Sequence, residues 1–133
     1  VMDAPEELSG GELNAAVSRL VTSVHTDRVG RGPRRSVSFH RGNVVVTLLE
    51  EAMTSSERPL ARRGEGEAVL AMRQLIQRSM AEELKEQVGL LTGQEVVAFL
   101  GSSHLDPDLA VAVFVLDAEP HSATRPSTDQ SLD

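Results

Sequence analysis

Two short stretches hold most of the side chains whose type and spacing could do chemistry. The first is Arg28-Val29-Gly30-Arg31-Gly32-Pro33-Arg34-Arg35. From Arg28 to Arg41 the chain carries Arg28, Arg31, Arg34, Arg35 and Arg41 and no carboxylate, although its formal net charge is −7. Guanidinium groups give paired hydrogen bonds to phosphate or carboxylate, and glycines let backbone N–H groups approach an anion. Arg28, Arg31, Gly32, Arg34 and Arg35 are therefore the candidate anion- or partner-binding residues. The competing reading is a Gly-Pro turn with solvated arginines, because a helix C-terminus repels anions and welcomes cations. Lys85 is the only lysine, so arginine is the default cation of this chain and its clusters count for less. The stretch matches neither a P-loop nor a dinucleotide fingerprint.

The second stretch is His104-Leu105-Asp106-Pro107-Asp108. If extended, it puts His104, Asp106 and Asp108 on one side, as a possible metal or acid/base cluster. Asp-Pro-Asp is also ordinary turn chemistry, and the helical His-Glu-x-x-His signature is missing. A turn with a charged rim is the stronger expectation. His25 and His40 read as half-buried or surface histidines. No nucleophile elbow and no nucleophile–base pair occurs. The sequence calls for no cofactor.

The elements that would position these groups follow from spacing. Ser9-Gly10-Gly11-Glu12 has capping-box spacing, and Leu13, Val17, Leu20 and Val24 recur on one helix face, so a helix is expected to about Arg28. Ser36–His40 and Val44–Glu50 read as strands joined by Arg41-Gly42-Asn43. Thr54-Ser55-Ser56-Glu57 opens a short helix through Arg62, with Pro59 near its start. Val69, Met72, Leu75, Ile76, Met80, Leu84, Val88 and Leu91 define a longer helix, ended by Thr92-Gly93. Glu95–Gly101 and Leu109–Leu116 read as strands, with Ser102–Asp108 between them.

The fold class is α+β: a four-stranded antiparallel sheet with helices on one face, in the order α-β-β-α-α-β-β, which is either a common α+β layout or two α-β-β halves. One domain is expected over residues 9–118. Residues 2–8 read as loose, and residues 119–133 as a disordered tail. On the sheet, Val37, Phe39, Val97, Phe99, Val111 and Val113 are assigned to one side. Val44, Val46, Val96, Ala98, Ala110, Ala112 and Phe114 are assigned to the other. A sheet apolar on both sides with helices on only one suggests a homodimer.

Composition narrows the function classes. There is no cysteine, hence no disulfide and no thiolate. Aromatic residues make up 2% of the chain, which equips it poorly for stacking on bases, and with the acidic balance argues against nucleic acid. The apolar runs are far short of the roughly 20 residues of a membrane-spanning helix, and no signal peptide is visible. The expected location is cytoplasmic.

Five motifs in order resemble the MpsC-like family. They are Gly30-Arg31-Gly32-Pro33 after a helix, Val44-Val45-Val46-Thr47-Leu48-Leu49-Glu50, Met53-Thr54-Ser55-Ser56-Glu57-Arg58, Leu91-Thr92-Gly93, and His104 to Val111 with Phe114-Val115-Leu116. The resemblance spans roughly Gly11 to Asp117. Members are small bacterial proteins labelled as components of a sodium-translocating, membrane-potential-generating system. The resemblance implies a non-enzymatic accessory or regulatory protein linked to such a system, with association to a membrane complex as a further expectation. It would bind a protein partner or small anion through the arginine loop and the exposed sheet face. The alternative class is a small enzyme or metal-dependent ligand sensor built on His104, Asp106 and Asp108.

Overall fold

A computed structural model describes residues 10–120, and the expectations for residues 2–8 and for most of the C-terminal tail lie outside them. The elements run α1 (Gly10–Val29), β1 (Arg35–Arg41), β2 (Val44–Glu50), α2 (Glu57–Arg62), α3 (Gly66–Thr92), β3 (Val96–His104) and β4 (Leu109–Leu116). This is the expected α-β-β-α-α-β-β order. The four strands form one antiparallel sheet in the order β1-β2-β4-β3. Each α-β-β half thus contributes a hairpin, and its second strand lies at the centre of the sheet.

Helical spacing places the core. Leu13, Val17, Val21 and Val24 of α1 and Met80, Leu84 and Val88 of α3 are buried together. They pack on Val45 and Leu49 of β2 and on Ala110, Ala112, Phe114 and Leu116 of β4. The rings of Phe99 and Phe114 meet with centroids 5.3 Å apart. Gly93 ends α3 in the left-handed conformation (φ 72°), its N–H donating to the Gly89 carbonyl, which a residue with a Cβ would adopt only under strain.

The assignment of side chains to sheet faces needs correction. Directly paired residues of an antiparallel ladder share a face. Phe39 pairs with Val46, Val46 with Val113, and Val113 with Leu100. Val44 and Val46 therefore belong to the outer face, and Val45, Thr47 and Leu49 are the buried residues of β2. On β3 the register slips between Val96 and Ala98. One extra residue in a strand reverses its parity. Val96 and Phe99 consequently turn inward, while Ala98 and Leu100 turn outward.

The outer face is apolar through its middle. Val37, Leu48 and Val111 form one row, and Phe39, Val46, Val113 and Leu100 the next. Phe39 and Leu100, at the two edges, are 54% and 61% exposed. Charge enters only towards the ends of the strands, with Arg35 opposite Glu50, and with Arg41.

Candidate functional site

Three of the motifs meet at one end of the sheet. The loop after α1 brings Arg31, whose guanidinium donates to the main-chain oxygen of Met53. The Met53 N–H donates in turn to Asp108 Oδ2 (2.9 Å), and the Glu51 N–H donates to the main-chain oxygen of Asp108 (2.9 Å). Asp108 has a side chain only 7% exposed, with Arg58 Nη2 at 3.7 Å. The arginine loop, the segment before α2 and the β3–β4 turn are thereby tied into one unit.

Behind this unit lies a buried ion pair. Arg73 of α3 donates to Glu57 Oε1 at 2.8 Å, and Arg73 is 5% exposed. Glu57 does two jobs. The same oxygen accepts the Thr54 N–H (2.9 Å), while the Glu57 N–H donates to Thr54 Oγ1 (3.2 Å). This is the reciprocal capping box expected from the sequence, and it aims the carboxylate at Arg73.

His25 of α1 is buried beside the pair. Neither imidazole nitrogen has a hydrogen-bond partner, and neither has Arg73 Nε. His25 and Arg73 border a cavity of about 20 Å³, otherwise lined mainly by aliphatic side chains and Phe99. Burial pushes the imidazole pKa below its ordinary 6.5, and the Arg73 charge pushes it the same way; Glu57, a backbone contact with Arg31 too poorly formed to be a hydrogen bond, and Asp108 pull upward. The fold thus disfavours the imidazolium form of His25.

Among the candidate anion-binding residues, the arginines do not converge. Arg28 reaches Glu83 of α3 (3.0 Å) and the Ser79 carbonyl (3.2 Å). Arg34 lies 3.0 Å from Glu51, and Arg35 lies 3.2 Å from Glu50. Gly32 packs closely on α1, since a Cβ there would lie 3.1 Å from Thr26 Oγ1. His104 ends β3, and Leu105 to Asp108 form a turn with a cis Asp106-Pro107 peptide. The His104 ring nitrogen Nδ1 is 2.8 Å from the Pro107 carbonyl, and Asp106 is exposed. The structure brings Arg31 and Asp108 together across Met53 and leaves His104 and Asp106 outside that unit. Among the described residues, no group of three His, Asp or Glu side chains is disposed to hold a metal ion.

Sequence reasoning missed Arg73 and gave His25 no role. Both carried a signal. Val69, Arg73, Ile76, Met80, Leu84 and Val88 recur every three or four residues, so Arg73 fills an apolar slot of that stripe. His25 stands four residues after Val21 in the same way.

A second polar feature was also missed. Asn14, Ser18 and Thr22 of α1 face His40, Ser38 and Ser36 of β1, at 2.7, 2.7 and 2.9 Å. Four helical residues rise about 6 Å and two strand residues about 6.7 Å, so an i, i+4 row on the helix can match an i, i+2 row on an antiparallel strand. Ser38 passes the chain inward to buried Thr47 (2.7 Å).

Known proteins place the chain. Among the described residues no helix is long and apolar enough to cross a membrane. The chain is 27% identical over 100 residues to the uncharacterised protein YrhF of Bacillus subtilis (strain 168), covering 74% of this chain and 82% of that protein. No solved structure matches it. Residues 9–118 match the family model described as "Na+-translocating membrane potential-generating system (MpsC)", and the chain belongs to that family.

Proposed function

We propose that this chain is a non-enzymatic accessory or regulatory protein of a sodium-translocating, membrane-potential-generating system. It acts in the cytoplasm as a homodimer whose copies meet through the outer face of the sheet. The observation that carries this reading is the apolar row Phe39, Val46, Val113 and Leu100, which no helix among the described residues covers. Contiguous apolar surface of this kind marks an interaction site, and a self-complementary sheet face suits a two-fold axis. An ion path would belong to other components of the system. The chain's contribution is then to bind and position them. Anion binding at Arg34 and Arg35 takes the form of a competition with Glu50 and Glu51. The alternative reading, an enzyme or metal-dependent sensor at His104, Asp106 and Asp108, gains no support from a turn in which Asp108 is already engaged with Met53 and Arg58.

Native mass spectrometry with light scattering across a concentration series tests the dimer. The wild-type chain is expected as a dimer. Phe39→Asp with Leu100→Asp is expected as a folded monomer, because both side chains are already largely exposed in the single chain. A wild-type monomer at high concentration, or a double variant that stays dimeric, would overturn the assignment of the outer face.

A further inference from the structure

We infer that the groove between α1 and the free edge of β1 is a docking site for an extended acidic segment of a partner protein, which adds a fifth strand to the four-stranded sheet. The inference does not depend on what covers the outer face. It starts from the difference between the two sheet edges. β3 carries a register slip after Val96, and α3 leans over it: a Cβ at Gly101 would lie 3.1 Å from the Gln77 amide, and Gln77 approaches Ser103 at 3.4 Å. A bulge and a covering helix are standard protections of an edge. β1 has neither. All seven of its residues pair one to one with β2, without proline or bulge.

The hairpin fixes which backbone groups are free. Gly42 and Asn43 are the only residues between the paired Arg41 and Val44. A two-residue turn makes its flanking residues a hydrogen-bonded pair, and such pairs recur at every second residue. Arg35, Val37, Phe39 and Arg41 therefore spend their N–H and C=O groups on β2. Ser36, Ser38 and His40 direct theirs away from the sheet. Their side chains are held by α1, so this edge is presented in a fixed conformation.

The groove alongside has a volume of about 610 Å³, within the range of binding clefts. Asn14, Ser18, Thr22 and Ser23 form its helix side, the first three already bonded to His40, Ser38 and Ser36. Among the described residues its one charged lining residue is Arg19, exposed on α1. Arg19 and Arg41 form no ion pair with any carboxylate among the described residues. Among the described residues the groove is lined by a cation and no carboxylate, so it favours an acidic segment locally, against the long-range repulsion of a chain of net charge −7. Backbone pairing to Ser36, Ser38 and His40 would supply affinity, and Arg19 would supply the charge preference.

The test uses the full chain and two fluorescein-labelled peptides of equal length, one alternating glutamate with valine and the other lysine with valine. Anisotropy titrations at physiological salt, where the net charge of the chain is screened, are expected to show the glutamate peptide bound at least about tenfold more tightly. Arg19→Glu should remove that preference, while Arg62→Glu, an exposed change on α2, should keep it. Amide hydrogen exchange supplies the backbone readout: Ser36, Ser38 and His40 should exchange fast in the free chain and slow with the glutamate peptide bound. Equal binding of both peptides, no binding of either, or an Arg19→Glu chain that keeps the preference would overturn the proposal. Protection of the same three amides in the peptide-free chain, lost on dilution, would also overturn it, because a second copy would then own the edge.

Discussion

The same pairing of arginine with glutamate is used twice at one end of this molecule, in opposite surroundings. Arg73 and Glu57 meet at 2.8 Å with side chains 5% and 12% exposed. Arg34 and Arg35 meet Glu50 and Glu51 with arginine side chains more than 60% exposed. The chemistry is identical, but the consequences differ. Water screens the outer pairs and solvates either partner if the other leaves. The inner pair has lost that alternative, so each charge depends on the other. The inner pair also has a geometric task, because Glu57 is the acid of the capping box that starts α2.

The largest effect should come from opening the inner pair. Arg73→Met keeps the side-chain volume and leaves Glu57 buried without a counter-charge. Breaking such a pair from one side costs on the order of 3–5 kcal/mol. Urea unfolding is expected to show a loss of that size. Glu57→Gln should cost somewhat less, because an amide can still accept from Arg73 and from the Thr54 N–H. If Arg73→Met unfolds at nearly the wild-type urea concentration, the pair is open to solvent and the contrast with Arg34 and Arg35 collapses.

His25 sharpens the contrast through pH. Its folded pKa lies below the ordinary 6.5 because burial and Arg73 both disfavour the imidazolium. Below pH 6.5 the unfolded chain therefore takes up a proton that the folded chain refuses. Stability should fall as pH drops from 6.5 towards the folded pKa, and this group adds no further loss below that value. His25→Leu should remove this part of the slope. At pH 7 it should cost little or even stabilise, since an imidazole with no partner gives way to an apolar side chain. A slope unchanged in His25→Leu would place the titration on another group.

These sites differ in how far the sequence exposes them. The elements and their order were legible from periodicity, because helices of spacing three to four and strands of β-branched residues leave strong local signals. The capping box at Thr54 to Glu57 was legible as well. The sheet faces were only partly so. A single extra residue at Val97 reverses the parity of all that follows on β3, and nothing local announces it. The site was legible as parts. Arg31, Glu57 and Asp108 stood in separate motifs, and only the packing of the α1 loop, α2 and the β3–β4 turn joins them. Arg73 was hidden by its apolar neighbours, and the matched row of Asn14, Ser18 and Thr22 acquires meaning only once β1 lies beside α1.

A smaller effect is expected from the cap itself. Thr54→Ala removes the acceptor for the Glu57 N–H but leaves Arg73 paired. The cost should be about 1 kcal/mol, the usual value for a lost helix cap. If Thr54→Ala costs as much as Arg73→Met, then the hydroxyl, rather than the ion pair, is what holds Glu57 in place, and a double-variant cycle would show the two losses to be one.

The smallest effect belongs to the outer pairs. Arg35→Ala removes a contact to Glu50 whose arginine is 62% exposed, so stability should change by no more than about 0.5 kcal/mol. Added salt should erase even that, because the Debye length at physiological ionic strength is about 8 Å and these charges face water. Adding Arg34→Ala leaves Glu51 solvated and Glu50, whose side chain is 23% exposed, without either arginine, so the two changes should couple weakly through that shared partner. The proposed functional role of these arginines therefore has to be read in binding and not in folding. If the doubly substituted chain keeps its stability yet loses a salt-sensitive association with inorganic phosphate or a partner component, the loop is a recognition surface. If it instead loses several kcal/mol, Glu50 and Glu51 are far less hydrated than their exposure implies, and the outer pairs belong with the inner one.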